Sequence, residues 1–475
     1  MHQYDVEPKT TAFAAPGTPA YEEATRVFNL AAPPRPEAAV TVRTVEEVRA
    51  AVREAAGRGL PVRVHTTGHA AGARRAVEGG VLLRTRLEGG VEIDAGRRVA
   101  RVPAGTTWGE VVEAAAAHGL AAPHGSAAHV GVVGYLLGGG VSFYGRHTGL
   151  AANSLRAAEL VTADGELVRA DADRDPELLW ALRGAGAGLG VVTAVEIGLF
   201  PAAKVVTGAT YWSAAHAPAL LAAWLRWSRE APREATTSLR VMNLPPVPGV
   251  PPELAAGPVL CVDGAVLAET ESDVAAAERY AEELLAPLRE IAPPLLDTWA
   301  LTDPAGVLHA HMDPADPVPF VGDHPLLREL GEEGAAAFGR VTGEGSGSPL
   351  VVATLRQLGG AFAEPGPGAL GQVDAAYAYM GSGPPFGPVT VEALGGPLHH
   401  RARGAGAVGH RPHRPLARRE RRPAGTPARR GGGRTRGPGP GPPRPAGRVR
   451  RGRGGSLRRR PRSVRRGGPR PSPPA

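Results

Sequence analysis

Two glycine-rich stretches contain the residues of this sequence whose types and spacing best suit chemistry. The first, residues 64–69, ends in Thr67-Gly68-His69, and the second runs from His124-Gly125-Ser126 through Gly131 and Gly134 to Gly138-Gly139-Gly140. Glycine tolerates positive φ and lets a backbone approach a ligand closely, so its N–H groups can cradle a pyrophosphate. An apolar, strand-like run accompanies each stretch, at residues 60–64 and 131–137. We therefore predict a cofactor-binding loop in each.

The spacing of these glycines fits neither the G-x-G-x-x-G pattern of a Rossmann fold nor a Walker-type G-x-x-x-x-G-K-[ST] loop, which excludes those two nucleotide-binding folds. Six further motifs follow in order, at residues 44–48 (TVEEV), 149–154 (GLAANS), 160–165 (LVTADG), 178–184 (LLWALRG), 190–193 (GVVT) and 355–360 (LRQLGG). Across residues 20–380 the chain thereby resembles the vanillyl-alcohol-oxidase-like, berberine-bridge-enzyme-like family of FAD-linked oxidases, in the bacterial branch with a Thr-Gly-His signature.

The resemblance implies an α+β fold. After an N-terminal segment at 1–30, it implies a two-part PCMH-type FAD-binding domain at 31–202 and an α+β substrate domain at 203–390, in which helices back an antiparallel sheet. Residue patterns predict the individual elements. They are a helix at 44–56 capped by Thr44, hairpins within 91–102 and 160–168, helices at 108–118 and 176–183, strands at 207–212 and 259–262, and a helix at 273–291 that Pro287 kinks or ends.

The residues from 391 to 475 form a tail of different composition. Residues 401–475 contain 24 Arg, no Lys and one acid, Glu420, whereas residues 1–400 hold 30 basic and 45 acidic residues, a net charge of −15 against +8 for the whole chain. So few aliphatic residues cannot offset the cost of ordering a backbone, so we expect a disordered tail. A nucleic-acid-binding tail, a solvated linker and a reading frame shifted near residue 390 remain open, and the lack of lysine and acids favours the shifted frame.

Composition excludes several classes of protein. The single cysteine, Cys261, excludes disulfides within the chain. The N-terminus has no apolar core of a signal peptide, and no run of 18 apolar residues follows, so we expect a cytoplasmic protein without membrane association. The acidic body disfavours specific nucleic-acid binding. The sequence does not indicate an oligomeric state.

The resemblance assigns roles to residues of both stretches. The family joins a histidine at the position of His69 to the 8α-methyl carbon of the flavin, whereas a lone loop histidine more often bonds its own backbone. Where many relatives attach the flavin a second time through cysteine, this chain has Ala127, so we predict attachment through His69 only. The predicted FAD-binding residues are Thr67, Gly68, His69, Gly125, Ser126, Gly131, Gly134, Gly138, Gly139, Gly140, Asn153, Gly190, Val191 and Val192.

The sequence does not identify a catalytic base. Relatives often take it from the substrate domain or from a C-terminal segment with an aromatic-plus-Asn motif, which this chain lacks, so the resemblance implies that part of the active site is missing. Candidates for the base are Tyr144, His147, Tyr211, His309, His311, Tyr377 and Tyr379. Tyr135 stands where many relatives have His, and we expect it to pack beneath the loop. His309, His311 and Asp313 lack a convincing further ligand, so we expect no metal site.

The resemblance implies an FAD-dependent oxidoreductase that takes a hydride from a small hydroxyl- or amine-bearing substrate and is reoxidised by oxygen. The alternative is a flavin-binding protein without turnover, whose Arg-rich tail binds polyanions nonspecifically.

Overall fold

The structure, a computed structural model, describes residues 13–73, 78–186, 188–342 and 345–385. The predicted tail at 391–475 lies outside these ranges. The α-helices are α1 (Pro19–Thr25), α2 (Val45–Gly57), α3 (Trp108–Ala116), α4 (Val132–Leu137), α5 (Gly145–Thr148), α6 (Pro176–Leu182), α7 (Ala217–Glu230), α8 (Pro252–Ala255), α9 (Val274–Ile291), α10 (Val307–Ala310) and α11 (Glu332–Thr342). None of these is long and apolar enough to cross a bilayer.

The strands of the described ranges form three small sheets and one large sheet. In chain order they are β1 (Ala38–Val42), β2 (Val62–His65), β3 (Val81–Thr85), β4 (Glu92–Asp94), β5 (Val99–Pro103), β6 (Leu120–Ala121), β7 (Leu155–Val161), β8 (Leu167–Ala170), β9 (Val191–Gly198), β10 (Phe200–Pro201), β11 (Lys204–Ser213), β12 (Ala235–Met242), β13 (Val259–Ala268), β14 (Leu296–Asp297), β15 (Ala300–Thr302), β16 (Val321–Asp323), β17 (Leu326–Leu327), β18 (Val352–Gln357) and β19 (Tyr377–Gly383). The predicted α+β fold is confirmed.

The small sheets lie in the first half of the described chain. A parallel sheet has the order β1-β3-β2, an antiparallel sheet has the order β4-β5-β9-β7-β8, and β6 pairs with β10. Both predicted hairpins are present, as β4–β5 and β7–β8. Helix α2 begins after Thr44, whose hydroxyl accepts the Glu47 amide, and α6 begins at Pro176. Local turn and cap chemistry therefore sets these elements.

One expectation about local structure is wrong, and a second is met only in part. The apolar run at 131–137 is the helix α4, not a strand. A short apolar run fits either state, because its periodicity cannot be read over so few residues. Helix α9 also does not end at Pro287 but continues to Ile291. A proline removes only one backbone hydrogen bond, and Leu284, Leu285 and Leu288 bury the helix against its neighbours on both sides of that point.

The large antiparallel sheet has the order β14-β11-β13-β12-β18-β19-β16, with β15 and β17 paired at its sides. Its two faces differ, because side chains alternate along each strand. One face is apolar and packs on α7, α9 and α11, through residues such as Leu239, Val262 and Leu355. The other face carries Ser238 and Arg240 of β12, Cys261 and Asp263 of β13, and Thr354 and Arg356 of β18, which are neighbours in the strand register. We call this second set the polar face.

Arg146 and Asn29 are among the residues that hold the small sheets against the large one. The Arg146 guanidinium donates to the carbonyl oxygens of Ala231, Ala235 and Leu358. The Asn29 side chain bonds the backbone of Phe320 in both directions. These contacts position the glycine-rich loops opposite the large sheet.

Candidate functional site

The His69 loop follows β2 and is packed against the segment at residues 27–29. The Phe28 amide donates to the Thr67 carbonyl at 2.8 Å. Gly68 has φ of +75°, and a Cβ there would lie 2.4 Å from Val27 Cγ1, so only glycine fits this turn. The Phe28 ring stacks on the His69 ring, with centroids 4.0 Å apart. The N-terminal segment therefore takes part in forming the site.

His69 is a neutral histidine with one bonded and one unbonded nitrogen. Its Nδ1 lies 2.9 Å from Thr67 Oγ1, whereas Nε2 is buried without a hydrogen-bond partner in the described structure. Burial, aided by the nearby His129, lowers the pKa of His69 to about 4, although Asp313 acts in the opposite direction. At neutral pH the imidazole therefore keeps a lone pair, as a nucleophile must.

The two glycine-rich stretches meet at this point. A Cβ on Gly131 would lie 3.0 Å from Thr66 Cβ, and the His129 ring centroid lies 4.8 Å from that of His69. Burial also lowers the pKa of His129, and its Nε2 has no described partner. Sequence reasoning missed His129, because nothing in its local pattern separates it from a surface histidine.

The second stretch is built around Tyr135, as expected. Its ring lies 3.1 Å from the position of a Cβ on Gly125 and 2.5 Å from that on Gly140, which has φ of +74°. Gly138 and Gly139 end helix α4, since their amides donate to the carbonyls of Gly134 and Leu136. These two amides are therefore engaged within the chain, whereas the space around a Cβ on Gly134 is open to 4 Å.

The other predicted cofactor residues lie around these loops. The Asn153 amide donates to the Gly371 carbonyl at 3.0 Å, and its Oδ1 is buried without a described partner. Val191 and Val192 are buried at the start of β9 and pair only with β7, because β5 ends opposite Ala194. Gly190 packs against β7, where a Cβ would lie 2.7 Å from the Val161 carbonyl oxygen.

A buried charge network occupies the polar face of the large sheet. The Asp263 side chain is fully buried, lies 2.6 Å from Arg240 Nη2 and 2.7 Å from His311 Nδ1, and accepts the Ser238 hydroxyl. Burial alone would raise the pKa of Asp263, but Arg240 and His311 outweigh it and lower the pKa well below its usual range. Asp263 is therefore anionic.

Asp313 joins this network to the second glycine-rich stretch. Its Oδ1 lies 4.0 Å from His311 Nε2, and the Ser126 side chain is close enough to lower its pKa. Burial acts to raise its pKa, but His311, Ser126 and Arg240 lower it, so the carboxylate stays ionised. Its Oδ2 is buried with no hydrogen-bond partner among the described residues. The Asp313 carboxylate is therefore a hydrogen-bond acceptor between the second glycine-rich stretch and the polar face. We call this region the junction.

Most candidates for a base are engaged elsewhere. Tyr377 and Tyr379 lie on the apolar face of the large sheet, where the Tyr377 hydroxyl bonds Ser228 at 2.8 Å. The Tyr144 hydroxyl donates to the Pro304 carbonyl, and His147 bonds Glu269. Tyr211 lies on the polar face opposite Cys261, but its hydroxyl contacts Met312 Sδ at 2.9 Å. His309 is exposed. His311 is the candidate that lies at the junction.

One sequence signal could have identified the polar face. Asp263 is the only charged residue in the otherwise apolar strand β13, and Ser238 and Arg240 alternate with apolar residues in β12. An acid within a buried strand needs a cation, and the neighbouring strand supplies one.

Buried polar atoms without hydrogen-bond partners make this site suitable for a flavin dinucleotide. Six buried polar atoms near the loops lack described partners: His69 Nε2, Trp108 Nε1, His124 Nε2, His129 Nε2, the Tyr135 hydroxyl and Asn153 Oδ1. Buried polar atoms are rarely left unbonded in native proteins, so a ligand with its own donors and acceptors suits this region. No group of three His, Cys, Asp or Glu side chains in the described ranges is arranged to hold a metal ion.

Known proteins support this interpretation. Residues 36–171 match the family described as FAD binding domain. The chain is 37% identical over 180 residues to (R)-6-hydroxynicotine oxidase of Paenarthrobacter nicotinovorans, a match that covers 38% of this chain and 39% of the relative. It is 31% identical over 196 residues to the carbohydrate oxidase of Microdochium nivale, covering 40% of each. The chain thus matches about two fifths of the length of these relatives.

The fold has a wider likeness than the sequence. Over 83% of this chain and 86% of the other, the structure is similar to that of 6-hydroxy-D-nicotine oxidase from Arthrobacter nicotinovorans, with a TM-score of 0.67 and 24% identity. That likeness concerns the fold alone. Residues 36–171 therefore form an FAD-binding domain, and the described chain shares the fold of 6-hydroxy-D-nicotine oxidase.

Proposed function

We propose that this chain is an oxidase that moves a hydride from a small hydroxyl- or amine-bearing substrate to FAD attached through His69, with oxygen as final acceptor. The observation that carries the proposal is the state of His69. It is a neutral, largely buried histidine whose Nε2 has no described partner, in a loop that meets the second glycine-rich stretch.

The residues of the chain divide the work between binding and chemistry. Bound FAD supplies hydride acceptance and electron transfer to oxygen. Thr67 holds Nδ1 of His69, which leaves Nε2 available for the covalent bond. The glycines at 125, 131 and 140 allow close approach of the backbone, and the Tyr135 ring packs against Gly125 and Gly140. The polar face supplies the charged and hydrogen-bonding groups that a polar substrate needs.

Attachment at a single point is part of the proposal. Ala127 has no nucleophile, and the one cysteine, Cys261, is buried on the polar face beside Arg240. The names of the relatives include both a nicotine-derivative oxidase and a carbohydrate oxidase, so we keep both amine and hydroxyl substrates in the proposal.

The test combines cofactor attachment with substrate oxidation. The purified full chain should show a flavin absorbance that stays with the protein after acid precipitation. Under anaerobic conditions, at least one member of a panel of sugars, alcohols and cyclic amines should bleach that absorbance, and admission of air should restore it with release of hydrogen peroxide.

Two variants provide the comparison. The variant His69→Ala should lose acid-stable flavin, while His118→Ala, which changes an exposed histidine, should retain it. Acid-stable flavin that no panel member reduces would favour a flavin-binding protein without turnover. Acid-stable flavin in the His69→Ala variant would reject the proposed attachment.

A further inference from the structure

We propose that the pair Asp263–His311 is the proton acceptor of the oxidation, with His311 Nε2 as the atom that takes the proton of the substrate's hydroxyl or amino group. This inference rests on the proposed function, because a base is needed only if a substrate is oxidised at this site. It assigns the base to the substrate half of the described chain.

The geometry of the pair is that of an oriented imidazole. His311 Nδ1 lies 2.7 Å from Asp263 Oδ2, so in the neutral ring that a base requires the carboxylate favours the tautomer with the proton on Nδ1. The other nitrogen, Nε2, then carries the lone pair. A buried carboxylate that fixes a histidine in this way is the arrangement by which hydrolases prepare a general base.

The carboxylate itself is held in place from two further sides. Arg240 and the Ser238 hydroxyl both bond it, and all three residues belong to adjacent strands in register. Asp263 is fully buried and Arg240 is 4% exposed, so water does not compete for these bonds. The ring of Phe143 packs edge-on against His311, with centroids 5.7 Å apart, and limits its rotation.

The other ring nitrogen, His311 Nε2, lies at the junction between the polar face and the second glycine-rich stretch. Asp313 Oδ1 lies 4.0 Å from Nε2, and the Asp313 carboxylate interacts electrostatically with Ser126 of the second glycine-rich stretch and with His69. The gap of 4.0 Å between Nε2 and Asp313 Oδ1 is too long for a direct hydrogen bond. A hydroxyl or amino group placed there can donate its proton to Nε2, and Asp313 can accept a second N–H from an amine.

The proposed oxidation removes one proton and one hydride from the substrate. The substrate's O–H or N–H bond breaks, its proton goes to His311 Nε2, and its electron pair forms the new C=O or C=N bond. The neighbouring C–H bond breaks as a hydride, which the oxidised flavin accepts. Oxygen then takes up the two electrons and the one proton that left the substrate as hydride, together with the proton from His311, and leaves as hydrogen peroxide.

The experiment uses the purified full chain with its FAD. It compares His311→Gln with His309→Gln, which changes the exposed histidine two residues earlier, under anaerobic flavin reduction by the panel compound that reduces the unmodified chain. We expect His311→Gln to keep its acid-stable flavin and to slow reduction by about 10²- to 10⁴-fold, while His309→Gln reduces at the unmodified rate. Imidazole added to His311→Gly should restore part of the rate.

A second readout does not depend on turnover. Nitrogen NMR of the ¹⁵N-histidine-labelled chain, with His311→Gln to assign the signal, should show His311 protonated at Nδ1 and unprotonated at Nε2 at neutral pH. Unchanged flavin reduction in His311→Gln, or a lone pair on Nδ1, would overturn the proposal. If no compound reduces the unmodified chain, the proposed function fails, and the NMR result still decides how this pair is arranged.

Discussion

His124 should make the folded protein sensitive to mild acid. Its ring is fully buried beside Tyr144, and its Nδ1 lies 2.6 Å from the Gly125 carbonyl oxygen. Burial lowers the pKa of His124 to about 4, although the bond to Gly125 acts in the opposite direction. The folded state therefore keeps this histidine neutral at a pH where the unfolded chain would protonate it.

The size of the effect follows from proton linkage. Below a pH of roughly 6.5 the unfolded chain takes up a proton at His124, whereas the folded chain does so only near pH 4. The free energy of unfolding must therefore fall as pH drops through this window. Between pH 7 and pH 5 the loss attributable to His124 is about 2 kcal/mol, from about 1.4 kcal/mol per pH unit once the unfolded state titrates.

Urea unfolding at pH 7, 6 and 5 measures this loss. The variant His124→Gln should lose about 2 kcal/mol less than the unmodified chain between pH 7 and pH 5. His118→Gln, at an exposed position, should lose the same as the unmodified chain. His65 and His69, whose pKa values burial also lowers to about 4, act equally in all three proteins and cancel. An equal loss of unfolding free energy in His124→Gln and the unmodified chain would show that His124 does not cause this pH dependence.

Three further predictions concern the site. Thr67→Val, which removes the hydroxyl that bonds His69 Nδ1, should reduce the fraction of chains with acid-stable flavin, while Thr67→Ser should retain it. Gly140→Ala should lower the melting temperature because φ is +74° and the new Cβ would lie against Tyr135, whereas Gly134→Ala in helix α4 should be neutral or stabilising by up to about 1 kcal/mol. Asp263→Asn should lower the free energy of unfolding, measured in urea, by about 3–5 kcal/mol, because it removes the counter-ion of a buried arginine.

Local chemistry in the sequence predicted much of the first half of the described chain. Thr44 and Pro176 begin their helices where cap and proline rules place them, and the two hairpins turn at the expected glycines. These signals act within a few residues, so they do not depend on the tertiary fold. The strand prediction for 131–137 was wrong because the run is too short to show its period. Helix α9 does not end at Pro287, because packing of the leucines outweighs one lost hydrogen bond.

The candidate site divides in the same way. The motif around His69 could be found from its spacing and its resemblance to a family, but the charge network of Asp263, Arg240 and His311 could not. Those residues are 23 to 71 positions apart in the chain, and only the register of the large sheet and the position of α10 bring them together. Ser126, which lowers the pKa of Asp313, is likewise far from it in the chain.

The proposed function depends on a covalent bond between His69 and FAD. The most direct measurement is the intact mass of the unfolded, purified protein compared with that of the His69→Ala variant. We predict that the unmodified chain exceeds its polypeptide mass by one FAD and that the variant shows the polypeptide mass alone. The same mass increase in both proteins, or an increase in neither, would show that His69 does not hold FAD covalently.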